Sequence, residues 1–401
     1  MPSLAGRVGR APVAATVAMT VRARQMREAG TDVVMLTIGE PDFSSPPHAI
    51  EAAHQAALRG ETKYPPQDGT PALKQAIRRK IARDSGLDAP LDQIMVSNGG
   101  KQVIFNALMA TVEEGDEVVI PTPIWGAYPL MAKVVGGVPV SVPCPQNNGF
   151  KLRPEDLDAA ITPRTKWLVL NFPNNPTGAA CSADEMRALA DVMLRHPDVW
   201  ILSDDMYEHL LYTGEPHATM AAVEPRLADR TLTVSGVSKT YAMTGWRIGF
   251  GFGPRELIRA MVAMQGQISA GVSTVGQAAA VAALDGPQED VAVRREAYRR
   301  RRDLVVDALQ RCPGITCHRP EGAFYVYPGV AGLLGRTTPG GRQLDTDADV
   351  AMALLEEAHV ACVAGTAFGM SPYLRLSYAT DEASLRTAMQ RIEAFCHSLP
   401  A

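Results

Sequence analysis

The segment "KWLVLNFPNNPTG", residues 166–178, is an apolar run that ends in a turn of asparagine, proline and glycine. An uninterrupted apolar run is typical of a β-strand buried on both faces, because a half-exposed strand would alternate apolar and polar side chains. Comparable runs occur at 33–43, 93–100, 116–123, 199–205, 231–236 and 248–253. Helical stretches such as 103–113 and 183–195 lie between most of them. This alternation predicts an α/β fold whose largely parallel sheet is covered by helices on both faces.

The chain length and a change in the pattern of predicted elements indicate two domains of unequal size. At 401 residues with 46% hydrophobic residues, the chain is longer than one small core accommodates. After about Gly286 an arginine-rich helix is followed by short strand-like runs and by helices at 348–359 and from about Glu382. We therefore expect an N-terminal arm that belongs partly to the small domain (1–45), a large domain (46–290) and a smaller α+β domain (291–401).

The charge and the cysteines favour a small-molecule partner inside the cytoplasm. The formal net charge of −4 gives no electrostatic reason to bind nucleic acid or an acidic membrane, and no apolar run has the length of a transmembrane helix. The arginine run "VRREAYRRRRDLVVDAL" (293–309) carries apolar residues at helical spacing, which places its arginines on a solvated helix face. Six cysteines without a C-x-x-C pair or partner histidines argue against a metal site or a disulfide framework.

Two glycines follow the run at 93–100 and open a helix. In "VSNGGKQ" (96–102), Gly99 and Gly100 expose backbone N–H groups at the positive end of a helix dipole, which suits a phosphate. The spacing is neither that of a Walker loop nor that of a dinucleotide-binding fingerprint. A simple tight turn is the alternative for this motif taken alone.

Amide and carboxylate side chains end the next two runs. Asn175 lies in the proline-rich turn "NFPNNPTG", where a rigid loop could fix its amide against a ligand, although an Asx-capped turn is the alternative. In "LSDDMYEHL" (202–210), Asp204 and Asp205 follow apolar residues, and Tyr207 adds a phenol. A buried carboxylate is costly unless a cation faces it. One helix cap would explain either aspartate but not the set.

Two cations follow the run at 231–236. In "SKTYAMTGWR" (238–247), Lys239 and Arg247 have no acidic partner within the segment. A lysine that is desolvated near an arginine has a lowered pKa and can form a Schiff base, and the arginine could neutralise a phosphate. A surface position is the alternative for any single lysine.

Pyridoxal 5′-phosphate uses all these groups, because it offers an aldehyde, a phosphate, a phenolic oxygen and a ring nitrogen. Asp204 facing that nitrogen would contribute about 4 kcal/mol at 4 Å and an effective dielectric near 20.

The chain resembles the fold-type I aminotransferases that depend on pyridoxal phosphate, class I and II, in the aspartate aminotransferase-like branch. The resemblance runs from about Arg22 to the C-terminus. The motifs that carry it are "IGEPDF", "KYPPQDGTPALKQAI", "SNGGKQ", "NNPTG", "SDDMYEHLLY", "SKTYAMTGWRIG", "EAYRRRRDL", "GAFYVYP" and "LRLSYA". It implies a large cofactor-binding domain with a mostly parallel seven-stranded sheet flanked by helices, plus a smaller α+β domain. It also implies a homodimer.

The resemblance implies a role for each matching residue. Lys239 would form the Schiff base and carry the proton between the substrate and the cofactor, and Asp204 would pair with the ring nitrogen. Tyr207 and Asn175 would bind the phenolic oxygen. The remaining cofactor contacts would be Trp125 stacked on the ring, Gly99, Gly100, Lys101, Ser238 and Arg247 around the phosphate, and Tyr64 reaching the phosphate of the neighbouring subunit. Arg375 would clamp the substrate α-carboxylate, with Gly39, Trp125 and Asn175 also at the substrate.

The predicted activity is ping-pong transamination between an L-amino acid and a 2-oxo acid, of the aspartate/2-oxoglutarate type or a broad-specificity relative. A β-eliminating lyase would use the same lysine and aspartate, and a non-catalytic sensor could keep the cofactor pocket; both are alternatives. A nucleotide-binding enzyme built on "NGGK" is disfavoured by the missing phosphate-loop spacings. Met109 and Ile124 suggest no dedicated carboxylate clamp, so the sequence leaves neutral, aromatic and basic substrates open as well.

Overall fold

The computed structural model describes residues 3–12 and 15–400. Its strands are β1 Val34–Met35, β2 Ile94–Asn98, β3 Glu117–Thr122, β4 Val138–Pro143, β5 Thr165–Asn171, β6 Trp200–Asp204, β7 Thr231–Gly236, β8 Ile248–Phe252, β9 Tyr325–Val326, β10 Val360–Ala361, β11 Val363–Ala364 and β12 Leu374–Ser377. Its α-helices are α1 Ala15–Glu28, α2 Pro47–Leu58, α3 Pro71–Ser85, α4 Gly100–Thr111, α5 Ala127–Val134, α6 Pro154–Ala160, α7 Ala183–Met193, α8 Met220–Val223, α9 Arg255–Ile268, α10 Thr274–Asp285, α11 Glu289–Leu309, α12 Asp347–Glu357 and α13 Glu382–Ser398.

A seven-stranded sheet in the order β2-β8-β7-β6-β5-β3-β4 dominates the fold, which confirms the predicted architecture. Strand β8 is antiparallel to both of its neighbours, and the other pairs are parallel. The carboxyl ends of six strands therefore lie at the same edge as the amino end of β8. This direction explains why Arg247, which precedes a strand, can meet residues that follow strands.

Two strand predictions differ from the structure. The run at 33–43 forms only β1, which pairs with β10 outside the large sheet. The seventh strand of the large sheet is instead β4, at an edge, where Val138 is 47% exposed and two residues are proline. A half-exposed edge strand with prolines lacks the continuous apolar run that identified the buried strands.

Helices cover both faces of the large sheet because neighbouring strand residues point in opposite directions. In β6, Leu202 packs in a cluster with residues of α4, α5 and α9, whereas Ile201 packs on the opposite face with residues of α7. Helices α2, α3 and α10 cover β2 and β8 on that same opposite face. This packing confirms the predicted sheet with helices on both sides.

A separate core joins α11, α12 and α13 to the short C-terminal strands, with Leu36 of the N-terminal arm among its members. Strands β11, β12 and β9 form an antiparallel sheet within it. From this core we propose that part of the N-terminal arm (1–45) belongs to a small domain with residues 291–401, and that residues 46–290 form the large domain. Within the described part of the chain, none of the helices combines the length and apolar character that a membrane crossing needs.

Candidate active site

A cavity of about 690 Å³ opens at the carboxyl edge of the large sheet. The predicted site residues that line it are Gly39, Gly100, Lys101, Trp125, Asn175, Asp204, Tyr207, Ser238, Lys239, Arg247 and Arg375. Most of them follow parallel strands of the large sheet, whose carboxyl ends meet at this edge. Arg247 precedes the antiparallel strand β8, Gly39 follows β1 in the N-terminal arm, and Arg375 lies on β12 of the small sheet. The predicted ligand groups are thus assembled around one space.

Lys239, which follows β7, is desolvated at the floor of this cavity. Its Nζ donates a hydrogen bond to the carbonyl oxygen of Gly39 at 2.5 Å. Burial is the main cause that lowers the pKa of Lys239 to about 8, and the positive charges of Arg375 and Arg247 act in the same direction. Above pH 8 this amine is therefore mostly neutral, which is the form that can act as a nucleophile.

Asp204, at the end of β6, is a buried carboxylate held by two donors. Its Oδ2 accepts a hydrogen bond from the Tyr128 hydroxyl at 2.5 Å, and its Oδ1 accepts one from the Met206 N–H at 3.1 Å. Burial raises the pKa of Asp204 to about 6, although these hydrogen bonds oppose the rise. Within the described residues no cation lies within ion-pair distance of it, so the site can accommodate a positively charged ligand group.

Tyr128 was missed by the sequence analysis. It lies in the first turn of α5, three residues after Trp125, and the two rings meet edge to face at 5.4 Å. In "WGAY" (125–128) the three-residue spacing brings both side chains to the same side of the turn that begins α5. A tyrosine three residues after Trp125 was therefore a detectable signal of a second aromatic residue at the site.

Arg375, on β12, is a buried guanidinium without a carboxylate partner in the described chain. It donates to the Thr37 carbonyl oxygen at 2.6 Å and to Asn175 Oδ1 at 3.1 Å. Its Nε is buried and has no hydrogen-bond partner. Burial lowers the pKa of this guanidinium. An unpaired buried donor is costly, which makes this place suited to the carboxylate of a ligand.

Two tyrosines form the cavity wall between Arg375 and Lys239. The hydroxyls of Tyr207 and Tyr325 are 2.8 Å apart, and both rings are buried. A Cβ added at Gly39 would lie 2.5 Å from the Tyr325 hydroxyl, so glycine is needed there. Tyr325 belongs to the motif "GAFYVYP", which sequence analysis noted without assigning a role to the tyrosine.

The turn before α4 and the loop before β8 form a cationic cradle. Gly99 has a φ of +85°, and a Cβ there would lie 2.5 Å from Arg247 Nη2. Arg247 donates to the Thr244 and Asn98 carbonyl oxygens at 2.7 and 3.3 Å, and no described carboxylate pairs with it. Together with the first N–H groups of α4, this arginine could hold an anion such as the phosphate predicted from the sequence.

Lys101 presents a second free cation beside the cradle. Its Nζ lies 4.8 Å from the centroid of the Trp125 ring. Burial, followed by the charge of Arg247, lowers the pKa of Lys101. Its ammonium group therefore faces the cavity beside the indole, and no described acid forms an ion pair with it.

Tyr64 does not line the cavity of its own chain. Its side chain is 94% exposed and borders a separate groove with Lys63 and residues 269–275. The N-terminal arm contributes more than was predicted, because Val17, Val21, Arg24 and Glu40 line the cavity mouth in addition to Gly39. The motif "IGEPDF" contains Glu40, whereas Val17, Val21 and Arg24 lie outside the motifs identified in the sequence.

Comparisons with known proteins agree with this geometry. A sequence profile for "Aminotransferase class I and II" matches residues 31–392. An "Aspartate aminotransferase" of Rhizobium meliloti (strain 1021) is 52% identical over 98% of this chain and 96% of its own length. An "Aspartate/prephenate aminotransferase" of Cereibacter sphaeroides is 52% identical over 100% of both chains.

Solved structures show the same similarity. The crystal structure of the Rhizobium meliloti aspartate aminotransferase superposes with a TM-score of 0.97 at 51% identity and covers 100% of both chains. The Thermus thermophilus aspartate aminotransferase with maleate superposes with a TM-score of 0.92 at 42% identity and covers 98% of this chain and 100% of its own.

Proposed function

We propose that this chain, which belongs to the class I and II aminotransferases, exchanges an amino group between aspartate and 2-oxoglutarate. The reaction would take place on pyridoxal 5′-phosphate bound in the cavity. Transamination itself follows from named aminotransferases that are about half identical over the whole chain. These relatives do not favour a β-eliminating lyase or a non-catalytic sensor. The cofactor's placement, the residue roles, the substrates and the dimer are the parts that we propose.

The residues of the cavity fit the cofactor that the family implies. The amine of Lys239 has a lowered pKa, and within the described residues neither the carboxylate of Asp204 nor the guanidinium of Arg247 forms an ion pair. When bound, pyridoxal 5′-phosphate supplies an aldehyde that combines with amines and a ring that accepts electrons released at the substrate α-carbon. The residues that would hold it are Lys239 at the aldehyde, Asp204 at the ring nitrogen, Tyr207 and Asn175 at the phenolic oxygen, and Trp125 on the ring face. At the phosphate they would be Ser238, Arg247 and the backbone N–H groups of Gly99, Gly100 and Lys101, which leaves the Lys101 ammonium unassigned.

The protein's own groups then bind the substrate and move the proton. The free donors of Arg375 would bind the α-carboxylate, with Asn175 fixing the guanidinium from the side. Lys239 Nζ, once neutral, would take the proton from the substrate α-carbon and return it on the other side of the reaction. The buried rings of Tyr207 and Tyr325 lower the polarity around these groups, which strengthens their electrostatic contacts.

The observation that carries the substrate proposal is the surplus of cations in the cavity. Its charged lining consists of Arg24, Lys101, Lys239, Arg247 and Arg375 against Glu40 and Asp204. Three of these cations are assigned to the aldehyde, the phosphate and the α-carboxylate, which leaves Lys101 and Arg24. A second carboxylate on the substrate would balance them, and maleate, present with the Thermus thermophilus enzyme, is such a dicarboxylate. Met109 and Ile124, which suggested no clamp, do not line the cavity.

Replacing Lys101 with methionine tests this assignment. We expect kcat/KM for aspartate to fall about 10- to 150-fold, the value of one charge-assisted hydrogen bond, because the substrate side-chain carboxylate loses its partner. For phenylalanine, which has no second carboxylate, the change should stay within about 3-fold. The measurement is half-transamination followed by absorbance with each amino acid. The acceptor series includes prephenate because the Cereibacter sphaeroides relative carries that name.

The control for this experiment is Lys133→Met, which removes an exposed ammonium that does not line the cavity. This variant should transaminate both amino acids at wild-type rates. An equal loss for aspartate and phenylalanine in Lys101→Met would show that Lys101 acts on the cofactor alone, and the dicarboxylate assignment would be wrong.

We also propose that the active enzyme is a homodimer in which Tyr64 reaches the phosphate in the partner's cavity. The support is the position of Tyr64, fully outside the cavity of its own chain and 94% exposed. A phenol donating to a phosphate is a charge-assisted contact, so Tyr64→Phe should weaken cofactor affinity about 10- to 150-fold.

Mixed dimers decide whether Tyr64 acts across the interface. A dimer of one Tyr64→Phe chain and one Lys239→Ala chain contains one cavity whose Lys239 and partner Tyr64 are both intact. Cofactor affinity at that cavity, measured by titration of the mixed dimer, should return to the wild-type value. If affinity stays as weak as in the Tyr64→Phe homodimer, Tyr64 acts within its own chain, and an unweakened Tyr64→Phe homodimer would show that it does not bind the phosphate.

A further inference from the structure

Behind Asp204, on the other side of the sheet, lies a buried ionic network that the proposed mechanism does not use. Its charged members are Lys80 and Asp84 of α3, Asp205, Glu208, His209 and His217. Asp204 and Asp205 are consecutive and continue the alternation of β6, so Asp204 points into the cavity and Asp205 points toward α3. The network thus begins one residue away from the proposed partner of the cofactor ring.

The contacts within the network divide it into two ion-pair groups. The ammonium of Lys80 lies 2.5 Å from Glu208 and 3.4 Å from Asp84, and His209 lies 3.1 Å from Asp84. Asp84, Glu208 and His209 are close enough together to resemble a metal site. The Lys80 ammonium between these two carboxylates already supplies the cation, so the arrangement is an ion-pair network.

His217 is the remaining partner of Asp205. Its Nε2 lies 3.3 Å from Asp205 Oδ1, and the same oxygen accepts a hydrogen bond from Ser203 Oγ at 2.8 Å. Asp205 is only 3% exposed, so water does not neutralise it. Lys80 is committed to Glu208 and Asp84, which leaves the imidazolium of His217 as the group that can balance Asp205.

We propose that His217 is a positioning residue that neutralises Asp205 and thereby keeps Asp204 negatively charged toward the cofactor ring nitrogen. The inference rests on the proposed role of Asp204. Two uncompensated carboxylates on consecutive residues repel each other strongly when solvent screening is weak. A protonated His217 removes most of that repulsion without touching the cavity.

The electrostatics of the described groups agree with this role. The groups that face His217 are Asp205, Glu208 and Lys80; the two carboxylates raise the pKa of His217, while burial and Lys80 lower it, and the balance is a raised pKa. The charge of Asp205 in turn raises the pKa of Asp204. As pH rises through the pKa of His217, Asp205 loses its partner, and the pKa of Asp204 should then rise.

The test measures the pKa of Asp204 in the apoenzyme by infrared spectroscopy, from the carboxylate band that Asp204→Asn removes. In His217→Gln we expect this pKa to rise by about one unit, and we expect cofactor affinity near neutral pH to fall by up to about tenfold. His209→Gln is the matched control, since His209 pairs with Asp84 and does not contact Asp205. That variant should leave the Asp204 pKa at its wild-type value.

The double variant Asp205→Asn/His217→Gln separates a charge effect from a structural one. Removing the repelling carboxylate should return the pKa of Asp204 to the wild-type value or below. An unchanged pKa in a folded His217→Gln protein would overturn the proposal, as would a rise that persists in the double variant. If His217→Gln does not fold, Asp205→Asn alone decides: a lowered Asp204 pKa is expected, and an unchanged one would overturn the proposal.

This measurement does not depend on the cofactor assignment. If Asp204 did not face the ring nitrogen, Asp204→Asn would leave cofactor affinity unchanged, whereas the coupling between His217 and the Asp204 pKa in the apoenzyme would still be observed. Failure of the network proposal and failure of the proposed function are therefore distinguishable.

Discussion

Replacing Lys239 with alanine should lower kcat for transamination by at least about four orders of magnitude. The substitution removes the amine that would combine with the cofactor aldehyde and also the base that would move the α-proton. General acid–base catalysis alone accounts for about 10²- to 10⁴-fold, so the combined loss exceeds either part. Because burial lowers the pKa of the free amine to about 8, loading of the cofactor-free protein with pyridoxal 5′-phosphate should slow as pH falls below that value.

The measurement for this variant is single-turnover absorbance with excess aspartate. Borohydride reduction of the cofactor-loaded wild type, followed by peptide mapping, should label Lys239 alone. The matched control is Lys133→Ala, an exposed lysine on α5 outside the cavity, which should retain wild-type kcat. Borohydride labelling at another lysine, or residual turnover within about tenfold of wild type, would refute the role of Lys239.

Replacing Asp204 with asparagine should lower kcat/KM for aspartate roughly 10³-fold. The physical reason is the loss of about 4 kcal/mol of attraction between a carboxylate and a protonated ring nitrogen, taken at 4 Å and an effective dielectric near 20. Asparagine keeps the size of the side chain and an acceptor for Tyr128, so the change isolates the charge. Kinetics across a series of pH values, with the Asp229→Asn variant of an exposed carboxylate as control, provide the measurement.

The same variant should stabilise the protein in the absence of cofactor. The pKa of Asp204 is raised from 3.8 to about 6 in the folded protein, so folding favours its protonated form, and stability falls as pH rises from about 4 to 6. Asparagine removes this dependence, which corresponds to about 3 kcal/mol of added stability at pH 7 and none below pH 4. Denaturant unfolding at pH 4 and pH 7 measures it; equal stability differences at both pH values would contradict the buried-charge explanation.

Sequence reasoning located the cavity because its residues sit where predicted strands end. Lys239, Asp204 and Asn175 each follow an apolar run, and parallel strands bring such ends together at one edge. Sequence reasoning missed the features that depend on contacts with distant parts of the chain. Strand β4 lacks an apolar run because it lies at the sheet edge, and the acceptor of the Tyr128 hydroxyl, Asp204, lies 76 residues away in the sequence.

The sequence by itself determined the α/β class, six of the seven strands of the large sheet and the identity of most groups that meet in the cavity, because hydrophobic periodicity and turn residues are local properties. Only the tertiary structure decided which cations remain without a carboxylate. Lys239 contacts the carbonyl of Gly39, 200 residues away, and Arg375 contacts that of Thr37, 338 residues away. Burial and the distances between such remote residues set the pKa values and the charge balance of the site, and both arise only when the chain is packed.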